Sequence, residues 1–409
     1  MNAMKDAAHR RRQLRALRIT AREQVRRALR RLTRQARIAW LISLFGALLS
    51  ACGGSAAPTQ PTAARTSSAS ASPSATISYA AGGARGAGVN VEPSYRPWRY
   101  LDGPAPESWW CEPPNCSPEP LPRTKIDTDL QLAKQLGVNH IRVEFPWRFI
   151  EPQRGAYDWT RADLIVSEAQ FYGVRLQPVV VYSPAWVGDP TAAPDPGDFR
   201  AFMSARVGRY HSTITDWELW NEPDLDKYWS AGERAYVQSI LIPGYQGVKA
   251  ADPSAQVILG GPSWASGDWL NGIYQYGGGD SFDIMAWHAY GDVNTVLGSV
   301  ENVLPILQEH HQGGKPLWIG EFGAEDSLLN DNAQSSLLTG VLTAQSAIAQ
   351  ADWYNLRDEA SMECCPPTVA VMGHYGLVER DGVTRKAGFG ALQRLISAGL
   401  PRVQVPQGG

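Results

Sequence analysis

Short apolar runs and longer amphipathic runs alternate along this chain from about residue 82 onward. Runs rich in Val, Ile, Trp and Tyr at 88–91, 140–145, 174–182, 216–220, 256–259, 282–287, 317–320 and 352–356 read as strands. The 174–182 run is almost continuously apolar, as strands buried on both faces of a parallel sheet are. Between the runs lie helical patterns at 127–136, 160–172, 197–210 and 385–398, the first stopped by Gly137. Residues 95–122 form a long Trp- and Pro-rich loop.

The spacing sets the architecture. Ile141 and Asp216 stand 75 residues apart over two strand steps, and Asp216 and Phe282 stand 66 apart over two more. The next two steps, to Leu317 and to Asp352, take 35 residues each. Eight strand–helix units of this length predict an α/β protein of the (β/α)8 type, a single barrel over residues 82–400 with a short tail at 401–409. An open doubly wound sheet is the alternative. It lacks support, because no GxGxxG turn follows the first run.

Charge then divides the chain. Residues 1–37 hold Lys5 and twelve arginines against Asp6 and Glu23, a net of +11, whereas the rest carries −13. An acidic body lacks the clustered cations that phosphate backbones require, so no nucleic-acid partner is expected. Residues 38–49 are an uncharged apolar stretch, short for a membrane span and of the length of a signal-peptide core. It ends in Leu49-Ser50-Ala51-Cys52, which resembles the lipobox of bacterial lipoproteins. The resemblance implies a basic leader and signal peptide over 1–51, lipid on Cys52, export, and a flexible Ser/Ala/Pro/Thr-rich linker over 52–81. The other cysteines are Cys111, Cys116, Cys364 and Cys365. Export permits disulfides, either Cys111 with Cys116 or each loop with the other. A zinc site is the alternative, although no CxxC pair is present.

Candidate chemistry sits at the C-terminal ends of two runs. The stretch WELWNEPD, 217–224, breaks at Pro223 and delivers Asn221 and Glu222. About one hundred residues later PLWIGEFG, 316–323, delivers Glu321. A barrel places catalytic groups at strand C-termini, and two carboxyls facing each other across its mouth suit glycoside hydrolysis. No metal or cofactor is needed for that chemistry. Fifteen Trp and fifteen Tyr against nine Phe favour rings that have a polar edge, as sugar faces require.

WELWNEPD resembles the Asn-Glu-Pro motif of clan A glycoside hydrolases, especially families 39 and 5. IRVEFPW (141–147) and FIEPQRGAYDW (149–159) are similar to the clan's second strand and its loop. SFDIMAWHAYG (281–291) is similar to strand 6, WIGEFG to the nucleophile strand, and HYGLVERDGVTRKAGFGAL (374–392) to the approach to the last helix. The resemblance implies a retaining β-glycosidase with Glu222 as acid/base and Glu321 as nucleophile. It further implies that Asn221 holds the sugar 2-hydroxyl, that His288 and Tyr290 border the nucleophile, and that Trp353 stacks under the sugar. Arg142, expected at the end of strand 2, would keep the nucleophile ionised. Trp217 and Trp220 are expected to dry the acid's surroundings, with Trp147, Trp186 and Trp229 as weaker sugar platforms. Strand 3 ends in Tyr182-Ser183-Pro184 where family 5 commonly has histidine, which argues toward family 39. The accessory β-domain of family 39 xylosidases finds no counterpart here, so a surface enzyme of the endo type is expected, acting on a poly- or oligosaccharide. The alternative is a sugar-binding surface lipoprotein on an inactive barrel, although it retains both glutamates.

Overall fold

The computed structural model describes residues 85–91, 98–100, 116–118, 123–325, 332–358 and 374–404. Eight strands make one parallel sheet: β1 (Gly86–Val91), β2 (Ile141–Pro146), β3 (Leu176–Val181), β4 (Asp216–Leu219), β5 (Gln256–Leu259), β6 (Met285–His288), β7 (Leu317–Phe322) and β8 (Ile348–Trp353). Their ladder runs β5-β4-β3-β2-β1-β8-β7-β6. A single parallel bridge, Ile258 to Ile284, joins its two ends, with Leu259 N–H donating to Ile284 O at 3.0 Å. The sheet is a barrel.

Alternation along each strand decides what lies inside it. On β2, Ile141, Val143 and Phe145 join the apolar layer beneath the helices, so Arg142 and Glu144 point into the barrel. On β4, Trp217 and Leu219 face the helices and Glu218 faces in. The surrounding helices include α1 (Arg123–Leu136), α2 (Thr160–Tyr172), α3 (Pro196–Tyr210), α4 (Ile242–Ala251), α5 (Gly267–Gln275), α6 (Leu304–Glu309), α7 (Ala333–Thr343) and α8 (Ala387–Ala398). α3 begins sharply because Asp195 accepts from the N–H groups of Gly197 and Asp198, and Pro196 fills the first position. At the lower end of the barrel, Ile258, Ile284, Ala286, Trp318 and Ala349 close an apolar plug with Val403 packed on it. Arg85 N–H donates to Pro401 O at 3.0 Å, so residues 401–404 are bound to the barrel.

Several boundaries differ from expectation. β8 starts at Ile348, four residues early, because Ile-Ala-Gln-Ala has weak strand propensity and owes its conformation to β1 and β7 on either side. β7 continues to Phe322 and so contains Glu321. β6 starts at Met285, after Ile284 has bridged to β5. Arg142 is the second residue of β2 and not its last. Within the expected long loop, Trp98–Tyr100 and Cys116–Pro118 pair as a two-stranded antiparallel ribbon. Cys52, Cys111, Cys364 and Cys365 lie outside the described residues, as does the expected leader and linker. Among the described residues no helix is long and apolar enough to cross a membrane.

Candidate active site

The chain after β4 is bent into place. Trp220 and Glu222 have φ of 82° and 41°, a left-handed backbone that non-glycine residues rarely adopt. Each such residue costs about 1–3 kcal/mol, a marker of sites where geometry is over-determined. Here backbone bonds hold the bend: Trp220 N–H donates to Val180 O, and Glu222 N–H to Gly261 O, both at 2.9 Å. Gly260 lets the β5 loop come this close, since a Cβ there would lie 2.3 Å from Leu219 O. Asp224 fastens the same two loops by accepting from Ser263 N–H at 2.8 Å and Ser263 Oγ at 2.6 Å.

On the opposite wall, His288 ends β6 in register with Glu321 of β7. Glu222 and Glu321 are each 4% exposed at the barrel mouth. One oxygen from each of them and one ring nitrogen of His288 lie within 4.8 Å of one another. His288 Nδ1 is 2.9 Å from Glu222 Oε1 and 3.5 Å from Glu321 Oε2. Tyr290 donates its hydroxyl to Glu321 Oε2 at 2.7 Å, and Arg142 Nη1 donates to Glu321 Oε1 at 2.8 Å. Arg142 Nη2 reaches Asn221 Oδ1 at 2.9 Å. Two carboxyls and an imidazole are a possible metal-ligand set by proximity. The Arg142 guanidinium beside Glu321 opposes a dication there.

Burial divides these groups by charge. It raises the pKa of Glu222, with Lys227 and Arg142 pulling the other way. It lowers that of His288 despite the Glu321 carboxylate, so the imidazole is neutral. Burial and then Glu321 hold the Tyr290 phenol well above its ordinary range, where it remains a donor. Asp224 is pushed up to about 6 by burial and by Glu222. Among the described residues, Glu222 Oε2 accepts no hydrogen bond, and it is enclosed. An acid with one oxygen held by His288 and the other free carries its proton on the free oxygen.

The structure thus brings together Glu222, Glu321, Asn221, Arg142, His288 and Tyr290. The tryptophans go elsewhere. Trp353 does end β8, but it is 0% exposed, lies against Phe322 in the helix-facing layer, and donates its indole N–H to Tyr375 O at 3.0 Å. It has no free face for a sugar. Tyr354, the next residue, instead approaches Tyr290 and Tyr375 edge-on, with ring centroids 6.4 Å away in each case. Trp217 and Trp220 are likewise buried on the helix side, Trp217 against Arg206 and Trp220 against Trp229. Trp147 packs on Phe199 and Phe202, and Trp229 on Tyr236; both are core. Only Trp186 of this group is partly exposed, with Arg154 over its ring.

Sequence reasoning missed Glu218, Asn90, Gln177, Glu144 and Tyr354. Glu218 pairs with Arg142, and Asn90 Oδ1 accepts from Arg142 Nη1 at 2.8 Å. Glu144 accepts from the Tyr182 hydroxyl at 3.0 Å. A carboxyl or amide within an apolar strand was the available signal for Asn90, Glu144 and Glu218.

An eight-stranded parallel barrel that presents Asn-Glu after strand 4 and a second glutamate on strand 7 is the arrangement of the clan A glycoside hydrolases. Residues 115–357 match the model of the Cellulase family, glycosyl hydrolase family 5. The chain belongs to that family. Its fold is also that of a family 39 glycoside hydrolase from Bacteroides cellulosilyticus, with 18% identity and a TM-score of 0.57 over 76% of this chain and 64% of that one. A family 39 β-xylosidase from Caulobacter crescentus is similar at 22% identity, with a TM-score of 0.55 over 68% of this chain and 69% of that one. An exo-β-1,4-mannosidase from an Opitutaceae bacterium matches at 17% identity, with a TM-score of 0.55 over 77% of this chain and 60% of that one.

Proposed function

We propose that this chain is a retaining β-glycosidase in which Glu321 is the nucleophile and Glu222 the acid/base. The observation that carries the reading is the meeting of the two carboxyls, with oxygens inside 4.8 Å and His288 between them. Inverting enzymes hold their carboxyls about 6.5–9.5 Å apart to admit a water, whereas retaining ones hold them about 5–5.5 Å apart.

In the first step a Glu321 oxygen bonds to the anomeric carbon while the glycosidic C–O bond breaks. Glu222 passes the proton on Oε2 to the departing oxygen. In the second step Glu222, now a carboxylate, takes a proton from water. The water oxygen bonds to the anomeric carbon and the ester to Glu321 breaks. Arg142 and Tyr290 serve both steps by fixing the Glu321 oxygens and balancing their charge. Asn221 is placed to meet the 2-hydroxyl, a contact that strengthens as the oxocarbenium-like transition state forms.

The substrate class we assign is a β-linked poly- or oligosaccharide. The solved relatives named above include a xylosidase and a mannosidase, so β-xylosides and β-mannosides belong beside β-glucosides in the first panel. We also propose export and lipid attachment at Cys52, a reading supported by the Leu49-Ser50-Ala51-Cys52 sequence after an apolar stretch. The decisive test follows the anomer released from an aryl glycoside by NMR. The β-anomer must appear first, and Glu321→Gln and Glu222→Gln must each lose turnover by several orders of magnitude on unactivated substrates. Full activity in either variant sinks the pair. For the anchor, Cys52→Ala is expected to move the protein from the membrane to the soluble fraction of the producing cells.

A further inference from the structure

Glu218 takes no part in the steps above, yet its side chain is wholly enclosed at the centre of the site. Oε2 accepts from Arg142 Nε at 2.7 Å and from Gln177 Nε2 at 2.9 Å. Oε1 accepts from Arg142 Nη2 at 2.9 Å and from Gly261 N–H at 3.3 Å. An arginine has five N–H donors in one plane. For Arg142, two go to Glu218, and one each reaches Asn90, Glu321 and Asn221. Two parallel bonds to a carboxylate fix the plane of a guanidinium, which a single bond cannot do.

We propose that Glu218 is a positioning residue of the glycosyl transfer: its two-point grip sets the Arg142 plane so that the remaining donors meet Glu321 and Asn221. The assignment rests on the glycosidase reading above. It also has an electrostatic side. Glu218 places a negative charge against Arg142, so the guanidinium orients Glu321 without bringing an unbalanced positive charge to the acid Glu222. Burial pushes the Glu218 carboxyl up, but Arg142, with Gly261 N–H, outweighs it and keeps it ionised below its ordinary value. The titratable and charged groups around it are Arg142 from β2, His288 from β6, Glu321 from β7, Glu222 and Asp224 from the loop after β4, and Tyr236 ahead of α4. Gln177 of β3 and Gly261 after β5 contribute neutral donors.

The test compares the whole protein with Glu218→Gln, which keeps shape and loses charge, and Glu218→Asp, which keeps charge and loses reach. Probes are 4-nitrophenyl and 2,4-dinitrophenyl β-xyloside, β-glucoside and β-mannoside. The dinitrophenolate leaves without a proton, so it reports the Glu321–Arg142 half of the site alone. Both variants are expected to lose about 100-fold in kcat/KM on both leaving groups, the size of effect an ångström of misplacement produces. In Glu218→Gln the alkaline limb of the 4-nitrophenyl profile also moves to lower pH, because a negative charge near Glu222 is gone. In Glu218→Asp it stays. A purely structural role would lower the folded fraction and leave the limb where it was, and that result overturns the assignment. Should Glu218→Gln not fold, Gln177→Leu removes one donor without uncovering a charge. It is expected to lose roughly five-fold, one hydrogen bond's worth, and wild-type kinetics there count against the proposal. A wild type inert toward all these glycosides overturns the glycosidase reading together with this one. An active wild type with an undiminished Glu218→Gln overturns this one alone.

Discussion

His288 Nδ1 lies 2.9 Å from Glu222 Oε1, while His288 Nε2 lies 3.5 Å from Arg142 Nη2. The Arg142 donors are taken up by Glu218, Asn90, Glu321 and Asn221, so the tautomer is set at the other nitrogen. Nδ1 faces carboxyl oxygens of Glu222 and Glu321, which accept, and the neutral ring is the Nδ1–H form. The N–H therefore points to the acid/base and favours its ionised form. Removing it in His288→Ala is expected to raise the pKa of Glu222 and to move the alkaline limb of kcat/KM to higher pH. The shift is opposite in sign to that of Glu218→Gln. Turnover of 4-nitrophenyl substrates is expected to fall roughly 10- to 100-fold, since the second step needs the carboxylate that His288 supports. A limb that moves down in His288→Ala contradicts the tautomer.

The raised pKa of Glu222 makes a separate prediction about leaving groups. Burial keeps this carboxyl protonated above the ordinary glutamate range, and its protonated form is the one that cleaves. Activity on 4-nitrophenyl glycosides should therefore fall on the alkaline side as Glu222 ionises. On 2,4-dinitrophenyl glycosides that limb should flatten in kcat/KM, because no proton has to be delivered. Glu222→Ala should likewise retain glycosylation by the dinitrophenyl substrate and then stall as the ester. Added azide should release it as the β-glycosyl azide, seen by mass spectrometry. An α-azide would mean that the wrong glutamate was named.

Trp353 and Tyr354 are expected to trade the roles that their residue types suggest. Trp353→Phe loses the indole bond to Tyr375 O, which keeps its bond from Asn355 N–H, so the cost is that of one hydrogen bond, about 0.5–1.5 kcal/mol. KM should hardly move, because the ring meets no solvent. Tyr354→Ala, next to Tyr290, should instead raise KM with a smaller effect on melting temperature. Thermal denaturation beside initial-rate kinetics separates the two outcomes.

What the chain makes legible follows from which forces are local. Apolar runs and their even spacing reveal the barrel, because every strand buries one face against the helices and that face must be apolar. Glu222 and Glu321 are legible because each interrupts such a run at its C-terminal end. The strand 8 tryptophan was misread for a different reason. Its residue type suggested a sugar platform, yet alternation with Ala351 along an unbroken ladder with β1 already turns Trp353 toward the helices. The extra residue in this part of the sheet lies on β7, between Ile319 and Phe322. Arg142 was placed at the wrong end of its strand, because a long side chain acts far from its own Cα. Glu218 needed only the alternation: between Trp217 and Leu219, which face out, it must face in.

One further carboxyl responds to pH without touching the chemistry. Glu233 stands near Gly272 of α5, its Oε1 enclosed with no hydrogen-bond partner among the described residues, and burial followed by Asp224 pushes it up to about 7. The folded state thus binds a proton that the unfolded chain releases near 4.5, the ordinary value. Between those two pH values the folded state holds more protons, so stability falls as pH rises and is lost progressively up to about 7. Glu233→Gln removes the titration while keeping the shape. It should melt with the wild type at pH 4 and about 2 °C above it at pH 8, a modest gain because the group is partly solvated. Melting curves at both pH values check it, and a variant less stable than wild type at pH 8 would show that the ionised carboxylate has a partner.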